Sequence, residues 1–299
     1  MPQSSRLARA TPRAAPRTSP GTADGPRLNL PRLIVSDLDG TLLPESKELT
    51  PYTQQVFAEL QARGVRVGLA TGKFLHLTAP YGEALGEHTA LIALDGARVG
   101  HVRGNGHRVS GIRADRVLEV LERYQDAAHN LFLDSGNDEL VLRHRDEDFP
   151  HVIRHWATQR RRVDDLRGHV VGASGIVALY GEQQVMREIA HTAAYDYPDV
   201  KVSYFDTMLY GGGRVTFQPG GVTKATGLGW LREQLGVAAE ETMVFGDWYN
   251  DIPLFQAGCV NVAMDNAVPE VRALARHGTA EDCEHDGVAR FLAGHFLDN

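Results

Sequence analysis

The feature that most narrows what this chain can fold into is a recurring alternation of two patterns. From Leu33 onward, short apolar runs end in a polar or glycine-containing turn, and each turn opens into a stretch of helical character. LIVSD leads toward TPYTQQVFAELQARG, VRVGLATGK leads into a helix over 74–85, and ALIALDG forms a third run. A strand followed by a helix returns to the sheet by a crossover, which makes neighbouring strands parallel and covers both faces with helices. The expected fold class is therefore α/β, with a doubly wound parallel, Rossmann-like sheet. The first helix carries its own boundary signals, with Thr50 as cap, Pro51 in the first turn and Gly64 at the close.

The texture changes between about 96 and 213. Strand-like segments (LFLDS, ELVLR, GIVALYG, VKVSYF) alternate there with helices expected over 115–129, 149–159 and 182–195, and the stretch ends in a glycine triplet at 211–213 that reads as a hinge. The first pattern then resumes with RVTFQP, a helix over 224–235, the run TMVFGD, a helix over 252–256 and VNVAM. This predicts a core formed by 28–95 and 213–299, with an α/β cap domain inserted at 96–212. Residues 1–27 are rich in Pro, Ser, Ala and Arg and almost free of large apolar side chains, so they read as a disordered tail.

Charge and cysteine content limit the partners. Of the net charge of −7, the tail contributes five arginines against Asp24, a balance of +4, which leaves −11 on the remainder. A body that acidic is a poor match for nucleic acid. No apolar run approaches the roughly 18 residues of a membrane span, and no apolar segment near the start reads as a secretory signal. Two cysteines, Cys259 and Cys283, are too few for a disulfide framework and fit a reducing, cytoplasmic setting. Nothing in the composition specifies an oligomeric state.

In an open parallel sheet the ligand crevice lies beyond the carboxyl ends of the strands. Four polar clusters fall at that edge. DLDGT, with Asp37 and Asp39, follows the opening run; ATGK, with Thr71 and Gly72, follows the second; Lys224 stands near the start of a helix; and GDWYND, with Asp247, Asn250 and Asp251, follows TMVF. Each alone has an ordinary explanation as a cap, a turn or a surface charge, and it is their joint order that points to a site. Asp37 and Asp39 are two residues apart, so on extended backbone their side chains share one side. Carboxylates held that close raise each other's pKa unless a cation lies between them or one stays protonated. Cys283 and His285 in EDCEHDG lack the second pair of residues that a metal site would need.

These motifs resemble those of the haloacid dehalogenase-like hydrolase superfamily: DLDGT its first, ATG its second, Lys224 its third and GDWYND its fourth. The stretches DLDGTLL, PGGVTKATGL, MVFGDWYNDIPLFQAG and VAMDNA look more closely like the Cof-type (subclass IIB) phosphatases, whose cap lies between the second and third motifs. About thirty residues separate Asp39 from Thr71, too few for a cap, whereas well over a hundred separate Thr71 from Lys224.

The resemblance implies a Mg²⁺-dependent phosphoric monoester hydrolase acting on a small phosphorylated metabolite, such as a sugar phosphate, through an aspartyl-phosphate. It makes Asp37 the nucleophile and Asp39 the acid–base group. Asp37, Asp247 and the backbone carbonyl of Asp39 become the metal ligands, and Thr71, Gly72 and Lys224 hold the phosphate. Asn250 and Asp251 would orient Lys224 or the waters on the metal, and Gly40 and Gly246 would let backbone approach the ligand. The chain departs from the family in having DGA rather than NGA at 95–97 and the aromatic pair Trp248 and Tyr249 after GD. Asp95 and Trp248 are therefore expected to shape substrate choice. Two other readings are a phosphomutase of the same superfamily, which would return the phosphoryl group to substrate, and a metabolite-binding regulator that has lost turnover.

Overall fold

The computed structural model describes residues 28–103, 108–135, 139–149, 159–207 and 212–297. The expected tail and most of the helix expected over 149–159 lie outside the described residues.

Among the described residues, the chain forms two sheets. The first contains β1 (Leu33–Ser36), β2 (Arg66–Ala70), β3 (Ala90–Ala93), β4 (Arg98–His101), β5 (Arg108–Val109), β12 (Thr242–Gly246), β13 (Val260–Ala263) and β14 (His277–Gly278), in the order β14-β13-β12-β1-β2-β3-β4-β5. From β14 through β3 every pairing is parallel, and β4 and β5 add an antiparallel edge. β1 is buried along its whole length, as a central parallel strand covered on both faces should be. The strand order reverses beside it, with β2 and β3 on one side and β12 and β13 on the other. Right-handed crossovers then send the two sets of helices to opposite faces. One set comprises α1 (Pro51–Ala62), α2 (Leu75–Leu85) and α8 (Gly287–Phe296); the other comprises α5 (Lys224–Leu235), α6 (Ile252–Phe255) and α7 (Pro269–Leu274). Thr50 caps α1 as expected, accepting a hydrogen bond from Thr53 N at 3.0 Å.

The second sheet contains β6 (Asn130–Asp134), β7 (Glu139–His144), β8 (Gln159–Arg162), β9 (Val177–Glu182), β10 (Val200–Asp206) and β11 (Gly212–Pro219), in the order β10-β11-β9-β6-β7-β8. Its pairings are antiparallel except for β7 with β8. One face packs on α3 (Ala114–Tyr124) and α4 (Gln183–Asp196) through a core of its own that includes Val117, Leu121, Leu179, Met186 and Phe217. On the other face, Phe132, Leu142, Phe149 and Tyr180 cluster with Leu94 and Ala97 of the first unit. A buried ion pair, Arg98 to Asp134 at 2.7 Å, and an antiparallel bridge between Ile112 and Ser174 complete the junction.

Both expected boundaries of the inserted unit shift. β4 and β5, expected beyond the first part of the core, belong to the first sheet. RVTFQP, expected to resume that core, lies in β11 between β10 and β9 of the second. Alternating strands carry no mark of which sheet will accept them, because the choice is made by pairing with distant backbone. For the same reason the glycine triplet is not simply a hinge: Gly212 and Gly213 are paired strand residues, opposite Glu182 and Gly181, while Gly211 lies outside the described residues.

Candidate active site

The site is built at the point where the strand order reverses. β1 and β12 run side by side in register, Ser36 opposite Phe245, and Asp37 N donates to Phe245 O at 3.1 Å. Asp37 and Asp247 therefore emerge next to each other at the carboxyl end of the sheet. β2 and β3 deliver Thr71 and Asp95 beside them, Thr71 N donating to Ile92 O at 2.8 Å and Asp95 N to Thr71 O at 3.0 Å. Lys224 opens α5, which Thr223 and Thr226 start with a reciprocal capping box.

Lys224 is fully buried and joins two carboxylates. Its Nζ donates to Asp37 Oδ1 and to Asp251 Oδ1, each at 2.7 Å. The other oxygen of Asp251 accepts from the backbone N–H groups of Asp247 at 3.0 Å and Trp248 at 3.1 Å. Asp251 thus fixes both the lysine and the turn that carries Asp247. Thr41 Oγ1 donates to Asp247 Oδ1 at 2.7 Å. Asp37 Oδ2 and Asp247 Oδ2 carry none of these bonds.

The electrostatics call for a further cation. Burial pushes the Asp37 carboxyl well above its ordinary value, Lys224 pulls it back, and the neighbouring Asp251 and Asp247 push it up again. Burial likewise raises Asp247, to about 6, against the hydrogen bond from Thr41. Burial disfavours the charge on Lys224, but its two carboxylate partners outweigh that and hold it protonated. Ligand atoms of Asp37, Asp247 and Asp251 lie within 4.8 Å of one another. Three buried carboxylates against one ammonium leave negative charge uncompensated, and an all-oxygen donor set suits a hard divalent ion such as Mg²⁺. The residues present fit that group.

Asp39 lies in a turn rather than on a continuation of the strand that leads to Asp37. The extended conformation ends at Ser36, and Thr41, Leu42 and Leu43 all donate backbone N–H groups to Leu38 O, closing a tight turn. Asp39 is therefore carried on a turn rather than on extended backbone, and it still lines the same pocket as Asp37. Asp39 Oδ1 accepts from Lys47 at 2.9 Å, and Oδ2 pairs with Lys73. Its burial would raise the pKa, but hydrogen bonds from Lys73 and Lys47 outweigh that and hold it below the usual carboxylate range.

The roles expected of Gly40 and Gly246 also change. Gly40 has φ +78°, and a side chain there would collide with the carboxylate of Asp247. At Gly246 a Cβ would stand 2.6 Å from Asp251 Cγ. Both glycines make room for the site's own acids.

A pocket of about 540 Å³ opens over this network, and Asp37, Asp39, Thr71, Gly72, Asp247 and Asn250 line it, as does Trp248. Lys224 and Asp251 lie beneath. Asp95 is not part of the lining; its Oδ1 accepts from Asn250 Nδ2 at 3.0 Å, and its backbone is left-handed at φ 52°. Sequence reasoning missed Thr41, Lys47 and Lys73 as partners of the acids, although Thr41 lies inside DLDGT and Lys73 inside ATGK. It also missed the wall that the second sheet contributes, where Phe205, Arg214, Thr216 and Gln218 reach the pocket. His285, paired with Asp282 at 2.7 Å, and Cys283 lie outside the pocket lining.

The sequence model of the haloacid dehalogenase-like hydrolases matches residues 34–292. The chain belongs to that family, in its Cof-type branch. It is 28% identical over 276 residues to the 5-amino-6-(5-phospho-D-ribitylamino)uracil phosphatase YitU of Bacillus subtilis, covering 89% of this chain and 98% of the relative. It is 28% identical over 271 residues to an HMP-PP phosphatase of Serratia proteamaculans, covering 87% and 94%. Its fold matches that of TM0651 from Thermotoga maritima with a TM-score of 0.77 at 24% identity, over 88% of this chain and 97% of the other. The expected enzyme class, phosphoric monoester hydrolase, is that of the named relatives, and the chain takes its place among these phosphatases. Among the described residues no helix is long and apolar enough to cross a membrane.

Proposed function

We propose that the protein is a Mg²⁺-dependent phosphatase that removes the phosphoryl group from a small phosphorylated metabolite through an aspartyl-phosphate on Asp37, in a reducing, cytoplasmic setting. The observation that carries this reading is the geometry of Lys224. A fully buried ammonium holds one oxygen of Asp37 and is itself held by Asp251, while the other Asp37 oxygen is left for the pocket. A nucleophile needs this fixed orientation with one oxygen spared.

The side chains of Asp37 and Asp247, with the backbone carbonyl of Asp39, would hold the Mg²⁺. When bound, that ion neutralises the acidic cluster and draws charge from the phosphoryl oxygens. Thr71 and the backbone N–H of Gly72 donate to the equatorial phosphoryl oxygens, where negative charge accumulates. Lys224 offsets that charge and favours the ionised form of Asp37, against the burial that raises its pKa. Asp39 protonates the departing alcohol and then takes the proton of the attacking water. As acid it must first lose its lysine partners, and an incoming phosphate offers Lys73, which also lines the pocket, a competing anion. The second unit acts as a cap over the leaving group. Relatives named for such different substrates as a ribitylaminouracil phosphate and HMP-PP support a common inner site with a variable outer wall. The test is phosphate release across a panel of sugar, nucleotide and cofactor phosphates with Mg²⁺; no release above the Asp37→Asn background from any member would refute the reading.

A further inference from the structure

The two ends of the pocket are chemically unlike. Every acidic side chain that lines it (Asp37, Asp39 and Asp247) stands at the inner end, where the phosphoryl group would react. Elsewhere the lining combines ring faces with the aliphatic side chains of Leu77, Leu94 and Ile176 and the polar groups of Arg214, Thr216 and Gln218. Trp248 and Phe205 are 55% and 43% exposed at this mouth, and large apolar rings left in water beside a cavity are a feature of ligand surfaces. Each ring is braced. Trp248 meets Tyr249 edge-on at 5.2 Å, and the Tyr249 hydroxyl donates to Glu270 at 3.3 Å. The Arg214 guanidinium lies over the Phe205 ring at 4.4 Å. Along β11, Arg214, Thr216 and Gln218 alternate, so they share the sheet face that meets the pocket, and Arg214 stands opposite Phe205 in register.

A polyol presents many hydroxyl donors, which a protein wall satisfies with acceptors, carboxylates above all. This outer wall carries no carboxylate among its described lining residues. Its guanidinium only donates, and it stands with an amide and a hydroxyl that donate or accept beside two aromatic faces, a combination that suits a flat ring with acceptor atoms on its edge.

We propose that Trp248 and Phe205 form a leaving-group site for a phosphomonoester whose alcohol bears a planar, unsaturated ring, and that Arg214 reads acceptor or anionic atoms on the ring's edge. This rests on the phosphatase reading for its catalytic consequence but not for its binding, so the two can fail separately.

Binding is measured first, by isothermal titration calorimetry of the full chain with Mg²⁺ and two non-hydrolysable probes of similar size, benzylphosphonate and cyclohexylmethylphosphonate. The flat ring should bind about 3- to 10-fold tighter than the puckered one, the range given by one aromatic contact. Equal affinities, or the reverse order, would overturn the proposal whether or not the enzyme turns over. Phe205→Ala and Trp248→Ala change exposed side chains and should each shrink that ratio toward one; a ratio that survives both substitutions also overturns it. The kcat/KM ratio of pyridoxine 5′-phosphate to benzyl phosphate then isolates the edge, and Arg214→Met should lower it several-fold, whereas an unchanged ratio removes Arg214 from the site. Acetyl phosphate, whose leaving group is too small to reach the outer wall, reports the chemistry alone. If wild type and Asp37→Asn release phosphate from it at the same rate, the phosphatase reading falls while the binding result stands.

Discussion

The floor of the pocket and its outer wall obey different physical rules. On the floor, Lys224, Asp37 and Asp251 are buried, and two hydrogen bonds of 2.7 Å lock the lysine between the acids. Asp251 spends its remaining oxygen on two backbone N–H groups, and Thr41 fixes Asp247. On the wall, Trp248 and Phe205 are about half in water and are held by single ring contacts. A buried polar network tolerates no missing member, because each loss leaves a desolvated charge or dipole without a partner. An exposed wall can exchange side chains at small cost. This contrast teaches where the chemistry must be invariant and where specificity has room to change.

The largest effect should come from the floor. Asp37→Asn is expected to reduce turnover to background, and rapid-quench labelling should find no phosphoryl group on the variant; label on it would assign the nucleophile elsewhere. Chelation of divalent metal should also abolish activity in the wild-type protein, and added Mg²⁺ should restore it. Activity that survives thorough chelation would break the metal assignment.

Asp39→Asn should cost roughly 10² to 10⁴ in rate with an ordinary alcohol as leaving group. With a nitrophenyl ester, whose phenolate departs without a proton, the first step should partly survive and labelled phosphate should accumulate on Asp37. If both kinds of ester lose the same factor and no label accumulates, Asp39 is not the proton shuttle.

Lys224→Met tests the floor as structure. It leaves buried carboxylates without their counter-ion, so the metal-free protein should lose on the order of 3 to 5 kcal/mol of unfolding free energy in urea titration. A loss below about 1 kcal/mol would mean that the network is softer than its geometry implies. The smallest effect should come from Asp95, which holds Asn250 but does not line the pocket. Asp95→Ala should change kcat/KM ratios among substrates by less than about fivefold, below the effect of Trp248→Gly, because it acts through a hydrogen bond worth about 1 kcal/mol. A larger shift for Asp95 than for Trp248 would place the specificity wall on the wrong side of the pocket.

Much of the floor was legible from local sequence. An apolar run that stops at a carboxylate, a threonine–glycine turn after a second run and a lysine near a helix start are short-range signals. Helix limits set by Thr50 and Pro51 are of the same kind. The parallel order also followed from the alternation itself, since a strand–helix–strand unit has few ways to return.

What only the tertiary structure decided depended on partners far away in sequence. RVTFQP has the alternation of any half-buried strand, and β9 and β10, rather than the strands of the first sheet, received it. That single pairing brought Arg214, Thr216 and Gln218 to the mouth of the pocket. The turn that carries Asp39 is set by three backbone hydrogen bonds to Leu38 O, and its side-chain partners are Lys47 and Lys73, none of which a two-residue periodicity could register. Periodicity specifies which face of an element is buried; the partner that buries it is selected by the long-range packing and backbone pairing of the folded chain.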